Sequence, residues 1–229
     1  MIPLKDLNRS RTVPVVTTYI VVVCIIVFLF ELSMGRDVIY LFHAFGVIPY
    51  EIVRGVDIPP PDPLTPYGNL ISHQYLHGGF FHIIGNMLFL WIFGDNVEDY
   101  FGKVKFFIFY TFCGIVAALL QVFAFPDSVA PLIGASGAIS GVLGAYFVLY
   151  PQAKIVTLVF LGFFVDLIVV PAYIWILFWF FMQFLSLMLA GSTGGGGVAW
   201  FAHIGGFLVG MFISKLAVSL KGRPLKIIE

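Results

Sequence analysis

Long stretches of this chain carry almost no charge, and one of them, Ile155–Ala190, has a single charged side chain, Asp166, in 36 residues. Further apolar runs cover Val13–Leu32, Phe80–Phe93, Val104–Phe125, Ser136–Leu149 and Phe201–Leu216. A transmembrane helix needs roughly 20 predominantly apolar residues, so these runs read as membrane spans. Composition agrees: 10% of the chain is charged and 60% hydrophobic, against about 25% and 45–50% in soluble domains. That balance excludes an ordinary cytosolic fold and a disordered chain. Twelve basic and twelve acidic residues cancel, leaving no net field to attract nucleic acid. Cys24 and Cys113 sit inside apolar runs and read as small packing residues rather than a disulfide framework.

The run at Val13–Leu32 follows Lys5, Arg9 and Arg11. It is too long for a signal peptide, lacks a small-residue cleavage site after it, and is read as a span. Glu31–Tyr75 is a long external loop containing Pro59-Pro60-Pro61-Asp62-Pro63. At 1.5 Å per residue the 36-residue run is too long for one span and too short for two with a turn. Pro171 divides it, giving an interfacial segment over Ile155–Val170 and a span at 171–190. The expectation is one all-α domain over residues 1–229, with six spans at 13–32, 80–95, 104–125, 136–150, 171–190 and 201–217. With the N-terminus inside, Lys5, Arg9, Arg11, Lys103, Lys105, Lys154, Lys215, Lys221, Arg223 and Lys226 are internal. Only Arg36 and Arg54 are external, which obeys the positive-inside rule. Both termini are then cytoplasmic, in a multi-pass protein of the plasma (inner) membrane.

Polar residues inside spans are costly and mark function by default. Three groups stand out: His73, His77, His82 and Asn86 leading into the second span, Ser136 opening the fourth, and His203 opening the sixth. At helical rise, His82 lies about 20 Å from Asp95, Ser136 about 22 Å from Pro151 and His203 about 18 Å from Lys215. In a core about 30 Å thick, all three lie at one level, about 8–12 Å below the outer surface. Structural readings stand beside this one. Gly137, Gly141 and Ala145, and Gly206 with Gly210, have the spacing of close helix packing. His82 and Asn86 share a helix face and suit structural hydrogen bonding as well as ligand contact. His73 and His77 have i,i+4 metal-pair spacing, but no His-Glu-x-x-His motif accompanies them, and no metal or other cofactor is expected.

The combination favours chemistry. A serine hydroxyl becomes a nucleophile when imidazole takes its proton, and acyl transfer also needs oxyanion donors, which His82 and Asn86 can supply. Asp95, Glu98 and Asp99 stand at the far end of their span and Asp166 at the inner interface, leaving a serine–histidine dyad.

These residues resemble the rhomboid intramembrane serine proteases over nearly the whole chain. Gly134-Ala135-Ser136-Gly137 is similar to the family's Gly-x-Ser-Gly motif. Ala202-His203-Ile204-Gly205-Gly206-Phe207-Leu208-Val209-Gly210 is similar to its base motif, and His82-Ile83-Ile84-Gly85-Asn86 to its oxyanion element. His77-Gly78-Gly79-Phe80-Phe81 and Gly94-Asp95-Asn96-Val97-Glu98 also look like the family. The resemblance implies a six-helix bundle and a serine endopeptidase that cleaves transmembrane protein substrates from the lipid bilayer near the outer face. Ser136 would be the nucleophile and His203 the base, with His82, Asn86 and the Ser136 backbone N–H around the oxyanion. Trp179 and Phe180 fall where the family often has aromatic gate residues between the second and fifth spans. One position departs: some members carry a tyrosine, stacked on the catalytic histidine, where this chain has Ser140. The alternative on the same fold is a catalytically inactive relative that binds membrane proteins.

Overall fold

The computed structural model describes residues 1–59, 61, 63–161, 164–190 and 199–223. Lys226 and part of the proline run lie outside them. A helix covers each expected span: α1 (Val15–Met34), α5 (Phe80–Phe101), α6 (Lys103–Ala124), α7 (Ser136–Leu149), α8 (Ala172–Ala190) and α9 (Trp200–Lys221). The molecule is a polytopic helical bundle. Helices α5, α6 and α9, and α1 with its continuation, are long and apolar enough to cross a bilayer. At 14 residues, α7 is only about 21 Å long.

This short helix is the centre of the bundle. Nearly every residue of α7 after Ser136 is buried, and α5, α6 and α9 pack around it. Its glycines permit this. A Cβ on Gly206 would overlap the Gly137 carbonyl oxygen, and one on Gly210 the Gly141 carbonyl oxygen. Backbone therefore lies on backbone along the α7–α9 contact, the close approach that small residues allow between membrane helices. Cys113 packs in the same layer, its Sγ 2.6 Å from where a Gly141 Cβ would stand. Both cysteines are free and buried.

The segment between α1 and α5, expected as an external loop, is folded. It contains α2 (Val38–Phe45), α3 (Pro49–Arg54), α4 (Thr65–Ser72) and a 3-10 turn at His73–Tyr75. Two backbone hydrogen bonds, Val47 N–H to the Leu132 carbonyl (3.0 Å) and Leu132 N–H to that of Val47 (2.8 Å), tie it to the segment before α7.

At the other end of the bundle the structure adds strands to the expected helices. Ile155–Val170, read as an interfacial segment, pairs as β2 (Lys154–Leu161) and β3 (Phe164–Pro171), with β1 (Ile2–Asp6) on the other edge of β2. Ile155, Val156, Thr157 and Val159 are β-branched and suit a pleated surface. Ile155, Thr157 and Val170 are buried, as is Pro3 of β1.

The acids at the C-terminal end of α5 hold the N-terminal segment there. Glu98 is 1% exposed and accepts from Val16 N–H (2.9 Å), Thr17 N–H (2.7 Å) and the Thr17 hydroxyl (2.8 Å). It satisfies the open N–H groups at the start of α1, where negative charge is favoured. Asp99 accepts from Arg11 N–H and from the Thr12 N–H and hydroxyl.

Candidate active site

The site is built at the N-terminal ends of α5, α7 and α9 and in the C-terminal half of α8. Gly134 precedes α7 with φ +124°, and its N–H donates to the His73 carbonyl (2.8 Å). Only glycine fits here: the torsion favours it, and a Cβ would stand 2.7 Å from His82 Nε2. The turn delivers Ser136 as the first residue of α7, where first-turn N–H groups have no intrahelical acceptor.

His203 lies in the first turn of α9, its N–H bonded to the Ala199 carbonyl (3.1 Å). Its Nε2 is 2.8 Å from Ser136 Oγ. Its Nδ1 is 2.8 Å from Gln183 Oε1 on α8. An amide oxygen only accepts, so Nδ1 carries the proton and Nε2 accepts from the serine hydroxyl. Two indoles flank the imidazole: Trp200 edge-on at 6.0 Å and Trp179 tilted at 6.3 Å between ring centroids. Ser140 takes no part, because its hydroxyl donates to the Ser136 carbonyl (2.7 Å).

His82 approaches from α5. Its Nδ1 accepts the Gly78 N–H (3.3 Å), so the proton sits on Nε2, the nitrogen beside Gly134 and Ser136. Asn86, one turn along the same face, is 8% exposed, and its Nδ2 has no hydrogen-bond partner among the described residues. A buried amide donor left open costs free energy unless something uses it.

His73 and His77 do not form a metal pair. Leu76 between them is extended (ψ 146°), so they do not share a helix face. Each Nδ1 lies against a carbonyl, that of Asn69 for His73 (2.9 Å) and that of Tyr75 for His77 (3.3 Å). Burial pushes His73 down to about 4, and burial with the neighbouring His82 does the same to His77. Of the two expected gate residues, Trp179 reaches α5 through Phe89 (6.4 Å), alongside Trp175 (5.3 Å from Phe89). Phe180 turns instead onto Phe207 of α9 (4.8 Å).

Sequence reading left Gln183 and Trp200 out of the site. The signal was present for Gln183, the one carboxamide in the run Ile155–Ala190. It stands 11 residues above Ala172, about 16 Å at helical rise, close to the level of Ser136 and His203.

A helical membrane bundle with a serine hydroxyl set against an imidazole at one end defines the class: polytopic membrane proteins built around a serine–histidine pair. Within that class the chain belongs to the rhomboid family. The Rhomboid domain matches residues 66–220, about two thirds of the chain. The chain is 31% identical over 175 residues to Rhomboid protein 1, mitochondrial, of Saccharomyces cerevisiae, covering 72% of this chain and 47% of that protein. It is 26% identical over 215 residues to Rhomboid protease GlpG of Haemophilus influenzae, covering 92% and 95%. It is 31% identical over 118 residues to Rhomboid protease GluP of Bacillus subtilis, covering 52% and 21%. The chain thus spans less than half the length of the yeast relative.

Proposed function

We propose that this chain is an intramembrane serine endopeptidase that cleaves transmembrane protein substrates near the outer membrane face. The observation that carries the reading is the 2.8 Å contact between Ser136 Oγ and His203 Nε2, with both side chains presented on helix ends. His203 takes the hydroxyl proton as Oγ bonds to the scissile carbonyl carbon. The carbonyl π electrons move to oxygen, and His82 Nε2–H, Asn86 Nδ2–H and the Ser136 N–H receive the oxyanion. Collapse expels the amine, which takes the proton from Nε2. Water then repeats the sequence on the acyl-serine, with His203 again as base and acid. No metal or redox group enters any step.

The topology belongs to the same reading: six crossings of the plasma (inner) membrane, termini cytoplasmic, and substrate passing between α5 and α8 beside Trp179, which faces Phe89 of α5. The test is Ser136→Ala in liposomes with a single-span model substrate, alongside labelling by a fluorophosphonate. The expected outcome is loss of cleavage and label in a variant that still melts like the parent, since one hydroxyl is removed among small residues. Normal turnover by the alanine variant would overturn the assignment.

A further inference from the structure

We propose that Gln183 is a positioning residue for His203, acting as the neutral third member of a Ser136–His203–Gln183 relay; this rests on the protease reading. Three helices supply the three groups, α7, α9 and α8, and two contacts of 2.8 Å connect them. The serine contact needs Nε2 as acceptor, and only a proton held on Nδ1 keeps it so. Gln183 Oε1 is the acceptor that holds that proton. The carboxylates of α5 are not available for this task, because Glu98 and Asp99 bind the N-terminal segment at the opposite end of the bundle. Ser140 is not either, its hydroxyl being turned to the Ser136 carbonyl.

An amide suits the depth of the site. A carboxylate here would have to be desolvated within the membrane, whereas an amide oxygen fixes the tautomer without a buried charge. The cost is that a neutral acceptor does less for the imidazolium formed during reaction. Trp179 lies four residues before Gln183, so both face His203 from one side of α8. The ring is thereby held both in plane and in rotation.

The experiment compares Gln183→Met, which keeps length and volume but lacks the acceptor oxygen, with Gln183→Glu, which restores an acceptor. Turnover and fluorophosphonate labelling are measured in liposomes, per monodisperse protein after gel filtration, beside wild type and Ser136→Ala. The expected result for Gln183→Met is a fall in kcat and labelling rate of about 10–100-fold, the scale of a catalytic group displaced by about 1 Å. KM should stay within about twofold, while Gln183→Glu recovers most of the lost kcat. A Gln183→Met variant within about threefold of wild type overturns the proposal, as does a loss confined to KM or an equal loss in Gln183→Glu. Those outcomes leave the protease reading standing. A wild type that neither cleaves nor labels, or that Ser136→Ala matches, overturns both.

Discussion

In the proposed mechanism His82 and Asn86 are donors already in place before a substrate arrives. The Gly78 N–H fixes the proton on His82 Nε2, and Asn86 Nδ2 is buried without a partner among the described residues. Donors aimed at charge that develops only in the transition state act on turnover rather than binding. Asn86→Ala or His82→Ala should therefore lower kcat by about 10²–10³-fold, with KM within a few-fold. A steady-state comparison checks this: if both variants raised only KM, the two side chains would be substrate-binding groups. At this scale the meeting of Ser136 and His203 was legible because each is a polar residue opening an apolar run. The burial of His73 was not legible, because it depends on where the external loop folds. Nor was the contact of Gln183, since counting residues along α8 gives its level but not the direction it faces.

The α7–α9 pair shows why the packing and catalytic readings of the glycine motifs are one reading. The same glycines that let the backbones touch bring His203 to Ser136. Gly206→Ala would drive a methyl into the Gly137 carbonyl, so the helices must part. The expected outcome is a lowered thermal midpoint and a kcat reduced about 10–100-fold, following the loss of the 2.8 Å contact. Gly85→Ala, whose Cβ would meet open space, should instead keep or raise stability by up to about 1 kcal/mol. Thermal melts of both variants beside wild type decide it.

The strand β1 carries a second consequence at the scale of elements. Asp6 accepts from the Tyr146 hydroxyl (2.6 Å) and Asn96 Nδ2 (2.9 Å). Burial, reinforced by Asp95, pushes its carboxyl up from 3.8 to about 7 against the Tyr146 hydrogen bond. The unfolded chain loses this proton first, so Asp6 costs stability as pH rises from about 4 to about 7. Asp6→Asn keeps an accepting oxygen and removes the proton. Its thermal midpoint relative to wild type should climb between about pH 4 and pH 7 and level off above, measured at about half-unit steps; a difference independent of pH would refute this account. The three-stranded sheet itself was not legible as strands. Ile155–Val170 is apolar with little alternation, a pattern that periodicity alone does not separate from a buried helix.

Across the whole molecule, the site at one end of the bundle and the acid–amide stitching at the other give opposite characters to the two faces. The folded segment between α1 and α5, pinned through Val47 and Leu132, stands on the side of the serine; the sheet and the Glu98 and Asp99 contacts stand on the other. On the proposed reading, hydrolysis about 8–12 Å below the outer surface requires water from that side and a sealed opposite half. Away from Ser136, α5 and α7 are closed by the buried rings of Phe93 and Tyr146, 5.0 Å apart, with the partly buried Tyr150 5.2 Å from Tyr146. In a background without Cys24 and Cys113, Ser136→Cys should therefore react with a membrane-impermeant thiol reagent added outside. Val148→Cys, buried near the inner end of α7, should react far more slowly. Initial rates rather than endpoints carry the comparison. Faster reaction of Ser136→Cys from the cytoplasmic side would invert the topology and remove the water path on which the proposed chemistry depends.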